Sequence, residues 1–264
     1  MSTGSYIIRG GTEGQARLSV LSQAMAPFTG ALLDRVDWAG RRVLDAGCGG
    51  GDVSRDLASR VGPGGSVLGV DADAVKIGAA RAAAEGIGNL AFRTGDAITP
   101  GDGDPFDAIY ARFLLSHLTE PADALASFRD RLAPGGLLVL EDVDFGGHFI
   151  EPALPAFDRY VGWYRTAAAR RGADALIGRR LPGLAREAGF EVLQAGAAMP
   201  AALGGPIKQM AALTLEAIAE PVVEAGLAAR TEIEAALAEL WVAAEDPSVF
   251  MSLPRVGQVV ARKG

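Results

Sequence analysis

Disulfide bonds are excluded at once, because Cys48 is the only cysteine in 264 residues, and a zinc site built on cysteine thiolates falls on the same ground. Basic excess is also missing. The 25 lysines and arginines stand against 32 acids, a formal net charge of −7, whereas binding to a phosphate backbone rests on clustered positive charge. No nucleic-acid partner is expected. Nor does any stretch reach the roughly 18 to 20 unbroken apolar residues that a membrane span needs, and Met1 to Tyr6 lack the basic start and apolar run of a signal peptide. The expectation is a cytoplasmic protein without a membrane partner. Histidine is nearly absent too: His117 and His148 are the only two, so side chains that titrate near neutrality are confined to two places.

What is present reads as one globular α/β unit with attachments: 49% hydrophobic and 22% charged residues, no repeat at solenoid period and no low-complexity tract. Leu18, Leu21, Met25, Phe28, Leu32 and Leu33 recur at three- and four-residue spacing, which predicts an amphipathic helix within 11–36. From residue 41 short apolar runs alternate with helical stretches. The runs Val43-Leu44, Val67–Val70, Leu90–Phe92, Ala108–Tyr110 and Leu137–Leu140 are expected as buried parallel strands, with helices near 51–61, 73–86 and 121–133. Such alternation predicts a doubly wound sheet with right-handed crossovers. Further helices are expected over 152–170 and 206–245, around a strand near 190–195, and a last strand near 256–262.

The strongest local signal is Val43-Leu44-Asp45-Ala46-Gly47-Cys48-Gly49-Gly50-Gly51-Asp52, a strand that enters a glycine turn and then a helix. Glycines there let the backbone turn sharply and approach a ligand closely. A dinucleotide fingerprint asks for a small residue where this chain has Asp52, and a carboxylate at that point opposes a pyrophosphate on the helix N-terminus. A nicotinamide-dependent oxidoreductase is further weakened by the lack of a Tyr-x-x-x-Lys pair. A cofactor without phosphate that carries a positive sulfonium suits Asp45 and Asp52 better. Asp71 follows the second strand, where a carboxylate can accept both hydroxyls of a ribose. It fits the N-cap of the next helix as well. Gly95-Asp96-Ala97 ends the third strand, with an acid that can accept an adenine amino group.

Taken together, Asp45-x-Gly47-x-Gly49-x-Gly51, Asp71, Gly95-Asp96-Ala97, Phe106–Tyr110 and Leu132-Ala133-Pro134-Gly135-Gly136 resemble the class I S-adenosylmethionine-dependent methyltransferases over roughly residues 40–145. The resemblance implies a Rossmann-like seven-stranded, mostly parallel sheet whose last strand is antiparallel and lies beside the sixth. It implies S-adenosylmethionine as cofactor, S-adenosylhomocysteine as product and a small-molecule methyl acceptor as partner; a homodimer is compatible with the helical additions. Carried over position by position, Gly47 and Gly49 meet the methionine portion, Asp71 the ribose and Asp96 the adenine, with Ala97 beside it. Asp45 acts near the amino group, Arg112 through its backbone carbonyl, and Cys48, Ala72 and His117 complete the cofactor set. Resembling enzymes fold an N-terminal cap over the cofactor, which here places Tyr6 against it and Arg17 at its carboxylate; a helix that merely covers sheet surface, with Arg17 in solvent, is the alternative. Residues 1–36 are then the cap, 37–147 and 182–264 the core with its C-terminal helices, and 148–181 a helical lid.

The acceptor is expected at the carboxyl ends of strands four and five, in Arg112–His117 and Glu141–His148. His117 and His148 are the candidate general bases; packing for the first and a plain loop position for the second are the alternatives. Glu141, Asp142 and Asp144 can hold a cationic acceptor or cap the following segment. Tyr160, Trp163 and Tyr164 read as a core stripe or as the wall of a pocket for an apolar or aromatic acceptor. A protein that binds the same cofactor without transferring methyl, as a regulator or in cyclisation or decarboxylation, is the rival.

Overall fold

The computed structural model describes residues 11–99 and 103–264, with side chains from residue 17 onward. Tyr6 lies outside the described residues. After α1 (Gly11–Leu33) the chain alternates strand and helix: β1 (Arg42–Ala46), α2 (Asp52–Val61), β2 (Ser66–Asp71), α3 (Ala74–Ala83), β3 (Leu90–Thr94), β4 (Phe106–Arg112), α4 (Pro121–Arg131) and β5 (Leu132–Asp144). Then come β6 (Ile150–Glu151), α5 (Pro155–Arg170), α6 (Leu181–Glu187), β7 (Phe190–Ala198), β8 (Ala201–Ala202), α7 (Pro206–Glu224), α8 (Arg230–Glu245), β9 (Phe250–Ser252) and β10 (Arg255–Lys263).

Seven strands form one sheet in the order β3-β2-β1-β4-β5-β10-β7. β10 is antiparallel to both β5 and β7, and the pairs among β1 to β5 are parallel, which is the topology expected. Alternation along the strands divides the core. Val43, Val67, Tyr110 and Val139 join Leu33, Trp38, Leu57 and Val61 on one face. Leu44, Ile109, Leu138 and Leu140 meet Leu125, Phe128, Leu181 and Leu184 on the other. Burial on both faces explains why these strands read as apolar runs. The registers Ala46↔Val70, Ala46↔Ala111 and Arg112↔Glu141 bring the carboxyl ends of β1, β2, β4 and β5 to one edge. Strand order reverses between β1 and β4, so a crevice opens beside the glycine turn.

Above that edge sits a helical roof. Tyr160 and Tyr164 of α5, Leu215 and Ile218 of α7, and Ile233 and Leu240 of α8 share a single apolar cluster. The helix expected over 206–245 is therefore two, and the cause is local. Gly226 takes φ +63°, its N–H donates to Val223 O (2.8 Å) and Leu227 N–H to Val222 O (3.0 Å), a Schellman ending that stops α7. Ile177 and Leu181 pack with the sheet face, while α7 and α8 pack with α5. A second sheet, β6-β9-β8, pairs Ile150 with Met251 and Ala201 with Ser252. Met25 of α1 meets Met210, Leu253 and Val256, which fixes α1 across the roof and the sheet end. Among the described residues no helix is long and apolar enough to cross a membrane.

Candidate functional site

The crevice at the carboxyl edge is a cavity of about 740 Å³, inside the range of pockets that enclose small ligands. Its floor is the glycine turn. Gly47, Gly49 and Gly51 take φ of +76°, +52° and +77°, a region in which side chains are strained. A Cβ on Gly51 would stand 2.6 Å from Phe92 Cζ, whereas beside Gly49 and Gly95 nothing lies within 4 Å. Gly51 is thus required by packing. Gly49 instead keeps open the space above the turn.

Asp71 fastens the turn to the end of β2. Its Oδ2 accepts Gly49 N–H and its Oδ1 accepts Asp73 N–H, both at 2.9 Å. The helix-cap reading of Asp71 is corrected here, because Asp73 is the N-cap of α3 and accepts from Val75 N and Lys76 N. With two of about four lone-pair positions used, the Asp71 carboxylate keeps capacity for a ligand's hydroxyls. Asp45 is buried and accepts from Ser54 Oγ at 2.5 Å; burial pushes its carboxyl up to about 6, against the Ser54 bond and Arg112. Asp96 accepts from Ile98 N and Thr99 Oγ at 2.9 Å each. Asp52 is ion-paired with Arg55, which softens the repulsion expected from it. Cys48 is half-buried, and burial beside Asp45 and Asp71 raises its thiol further from ionisation.

Every described residue proposed for cofactor binding or as a general base lines this one cavity: Arg17, Asp45, Gly47, Cys48, Gly49, Asp71, Ala72, Asp96, Ala97, Arg112, His117 and His148. Arg112 donates to Thr29 Oγ1 (3.1 Å), and Thr29 in turn donates to Glu141 Oε2 (2.9 Å). Arg17 is buried, its Nε donating to Thr214 Oγ1 at 3.3 Å, so α1 and α7 meet over the cavity. His117 ends a short 3-10 turn, and burial, then Arg17 and Lys76, lower its imidazole to about 4. Burial lowers His148 to about 3 despite its bond to the Ser252 carbonyl. Both are neutral at pH 7.

The three acids at the end of β5 are turned into the fold and do not line the cavity. Glu141 accepts from Tyr110 Oη (2.5 Å), Thr29 and Gln258 Nε2 (2.8 Å). Asp142 accepts Ser116 N–H at 3.0 Å and holds the turn that carries His117. Asp144 is fully buried between Arg179 and Arg255. Tyr160 and Tyr164 are both core and wall, buried in the roof cluster while lining the cavity; Trp163 packs at the cluster's edge. Sequence reasoning missed Lys76, Met210 and Thr214, and it did not single out Phe113 and Phe145 within the segments expected to hold the acceptor. Phe113 had no visible signal, since its φ of +53° is a tertiary strain.

A family model described as a methyltransferase domain matches residues 19–195. The chain is 34% identical over 129 residues to the ubiquinone biosynthesis O-methyltransferase of Caulobacter sp. (strain K31), covering 47% of this chain and 50% of that one. It spans about half the length of the curated relatives it matches. The solved S-adenosylmethionine dependent methyltransferase from Mesorhizobium loti superposes with a TM-score of 0.55 at 19% identity, over 92% of this chain and 99% of that one. The [4+2]-cyclase SpnF superposes with 0.56 at 23%, over 91% and 82%. At such identities both likenesses show the fold alone.

Proposed function

Because the chain belongs to the methyltransferase domain family, we propose that it transfers a methyl group from S-adenosylmethionine to a small apolar or aromatic acceptor enclosed in the cavity. One observation carries the reading: Asp71 pins an open glycine turn through Gly49 N–H, in a crevice whose floor bears Asp45, Asp52 and Asp96. Asp45, Asp52, Asp71 and Asp96 outnumber Lys76 and Arg112 in that part of the lining, which suits an adenosyl group with a sulfonium and opposes a polyanion. The residues present fit the cofactor. The space a Cβ on Gly49 or Gly95 would fill is vacant of protein atoms, and the Asp71 carboxylate faces it with acceptor capacity unused.

Asp71 would hold the ribose hydroxyls, Asp96 with Ala97 the adenine, and the backbone of Gly47 and Gly49 the methionine portion, with Cys48 and Ala72 alongside. Arg17 would meet the carboxylate from above. When bound, S-adenosylmethionine supplies a methyl carbon already activated by the sulfonium. The protein's share is alignment and exclusion of water. Leu18 and Leu21 of α1, Tyr160 and Tyr164 of α5 and Met210 of α7 close the second half of the cavity with apolar surface. His117 and His148, neutral at pH 7, are the groups there that can receive a proton.

Incubation of the chain with methyl-labelled S-adenosylmethionine and extracts of candidate acceptors is the test. S-adenosylhomocysteine should form in proportion to acceptor consumed. Acceptor converted without it, by cyclisation or decarboxylation, would overturn the proposal.

A further inference from the structure

Arg112 differs from the other cations that line the cavity. Lys76 is paired with Asp73 (3.8 Å) and Arg17 donates to Thr214 Oγ1, whereas Arg112 has no ion-pair partner among the described residues. Its side chain makes one hydrogen bond, from Nη1 to Thr29 Oγ1 (3.1 Å), and its Cζ lies 5.6 Å from the centre of the Phe113 ring. Nε and Nη2 are left over. Neither is sealed off: the buried side-chain atoms without a hydrogen bond among the described residues are Ser116 Oγ, His117 Nδ1, Arg131 Nε and His148 Nδ1, so the two spare nitrogens of Arg112 meet open space. Thr29, Tyr110 and Glu141 beside it are buried, and the space that Arg112 borders is the cavity.

One oxygen of Asp45 is in the same position. Ser54 Oγ donates to Oδ2, while Oδ1 is neither bonded nor among those occluded atoms, in a carboxylate that lines the same floor. β1 and β4 are neighbours with Asp45 in register with Tyr110, so the guanidinium two residues further on stands near enough to draw the Asp45 carboxyl down against burial. The two charges nevertheless do not pair. Thr29 holds Arg112 aside: its hydroxyl gives its hydrogen to Glu141 Oε2 (2.9 Å), which leaves its lone pairs for Arg112. A Cβ on Gly47 would stand 3.2 Å from Leu114 Cδ1, so the segment after β4 rests on the glycine turn, at the end of the floor given above to the methionine portion.

An acid and a base with unused, open atoms, close together but not in contact, suit a ligand that carries both charges on one carbon, an α-amino acid. We infer that the Arg112 guanidinium holds the α-carboxylate of the donor's methionyl group from the floor, opposite Asp45 at the ammonium, so that the cavity recognises its donor as an amino-acid zwitterion. This rests on the functional reading above and adds the side chain of Arg112 to the backbone contact expected of that residue. Arg112 is then a determinant of donor specificity, with Thr29 as its positioning residue. A donor analogue without the carboxylate leaves the guanidinium unpaired and binds weakly.

Calorimetric titration of the full chain with three probes tests this: S-adenosylhomocysteine, its decarboxylated analogue S-adenosyl-3-thiopropylamine, and 5′-methylthioadenosine, which lacks the whole amino-acid end. The wild type should bind S-adenosylhomocysteine about 10- to 100-fold more tightly than the decarboxylated analogue. Arg112→Gln, which can still donate to Thr29, should lower the affinity for S-adenosylhomocysteine by a similar factor and should not weaken the other two probes. Arg112→Lys keeps a charge without the planar fork and should fall between. Unchanged S-adenosylhomocysteine affinity in Arg112→Gln, as expected if Arg17 alone takes the carboxylate or if Arg112 serves an anionic acceptor, would overturn the inference. A loss shared equally by all three probes, the mark of a merely structural role, would overturn it too, as would a wild type indifferent to the carboxylate. Failure of the wild type to bind any of the three would instead overturn the functional reading.

Discussion

Removing the Asp71 carboxylate separates the cost to the fold from the cost to the ligand. Asp71→Ala deletes the acceptor of Gly49 N–H and Asp73 N–H, two bonds of 2.9 Å to one carboxylate. Asp71 is only half-buried, so water can reach the freed amides, and the loss of stability should be about 1–2 kcal/mol. At roughly 2–4 °C per kcal/mol for a chain of this size, the melting temperature should fall by about 2–8 °C. The ligand loses more. Hydrogen bonds to a charged group contribute about 1.5–3 kcal/mol, so affinity for S-adenosylhomocysteine should drop roughly 10- to 150-fold. Asp71→Asn retains one amide oxygen and should fall between. Calorimetric titration beside thermal melting reads both quantities. Affinity within twofold of wild type in Asp71→Ala, with the melting temperature lowered, would refute the role given to this carboxylate.

Gly49→Ala places a methyl group in open space at φ +52°, so it should cost only about 1–2 kcal/mol of strain yet weaken S-adenosylhomocysteine more than tenfold; equal affinity would mean that the ligand lies elsewhere. Gly51→Ala meets Phe92 at 2.6 Å and should lower the melting temperature more than Gly49→Ala does. Glu141→Ala leaves the buried donors of Tyr110, Thr29 and Gln258 without an acceptor; a loss on the order of 3–5 kcal/mol is expected, and a melting drop under 2 °C would show that α1 is anchored otherwise. Burial raises the Asp142 carboxyl from 3.8 to about 6, so the native state binds the proton more tightly than the unfolded chain and stability falls as pH rises from about 4 to 6. Asp142→Asn removes that slope. Its melting temperature relative to wild type should therefore rise between pH 4 and 7; a constant difference would contradict the assignment.

Much of the sheet was legible because its strands are buried on both faces and its turns are written in glycine. Val43-Leu44 and Leu137–Leu140 stand out as apolar runs, and Gly47 to Gly51 mark the only place where a strand could feed such a turn. The cofactor half follows from one local stretch and two acids at strand ends. The half of the cavity proposed for the acceptor was less visible, since its walls come from α1, α5, α7 and the β9–β10 corner, segments far apart in sequence that tertiary packing brings together. Tyr160 and Tyr164 illustrate the limit: their spacing announces a buried stripe and cannot say that its edge faces a cavity. The strands β6, β8 and β9 have two or three residues each, too short for any alternation to register. The end of α7 was readable in Gly226, a glycine where a C-cap needs a left-handed residue. The acids Glu141, Asp142 and Asp144 misled for the opposite reason: strand-end carboxylates look available until buried donors such as Tyr110 Oη and Arg255 are placed against them.

The account turns on what occupies the acidic floor beside Gly49. A crystal structure of the chain soaked with S-adenosylhomocysteine measures this directly. The adenosine should lie across the turn with its ribose hydroxyls on Asp71 and its base beside Asp96 and Ala97. A ligand bound away from Asp71, or an empty crevice that takes up NADH in its place, would contradict the account.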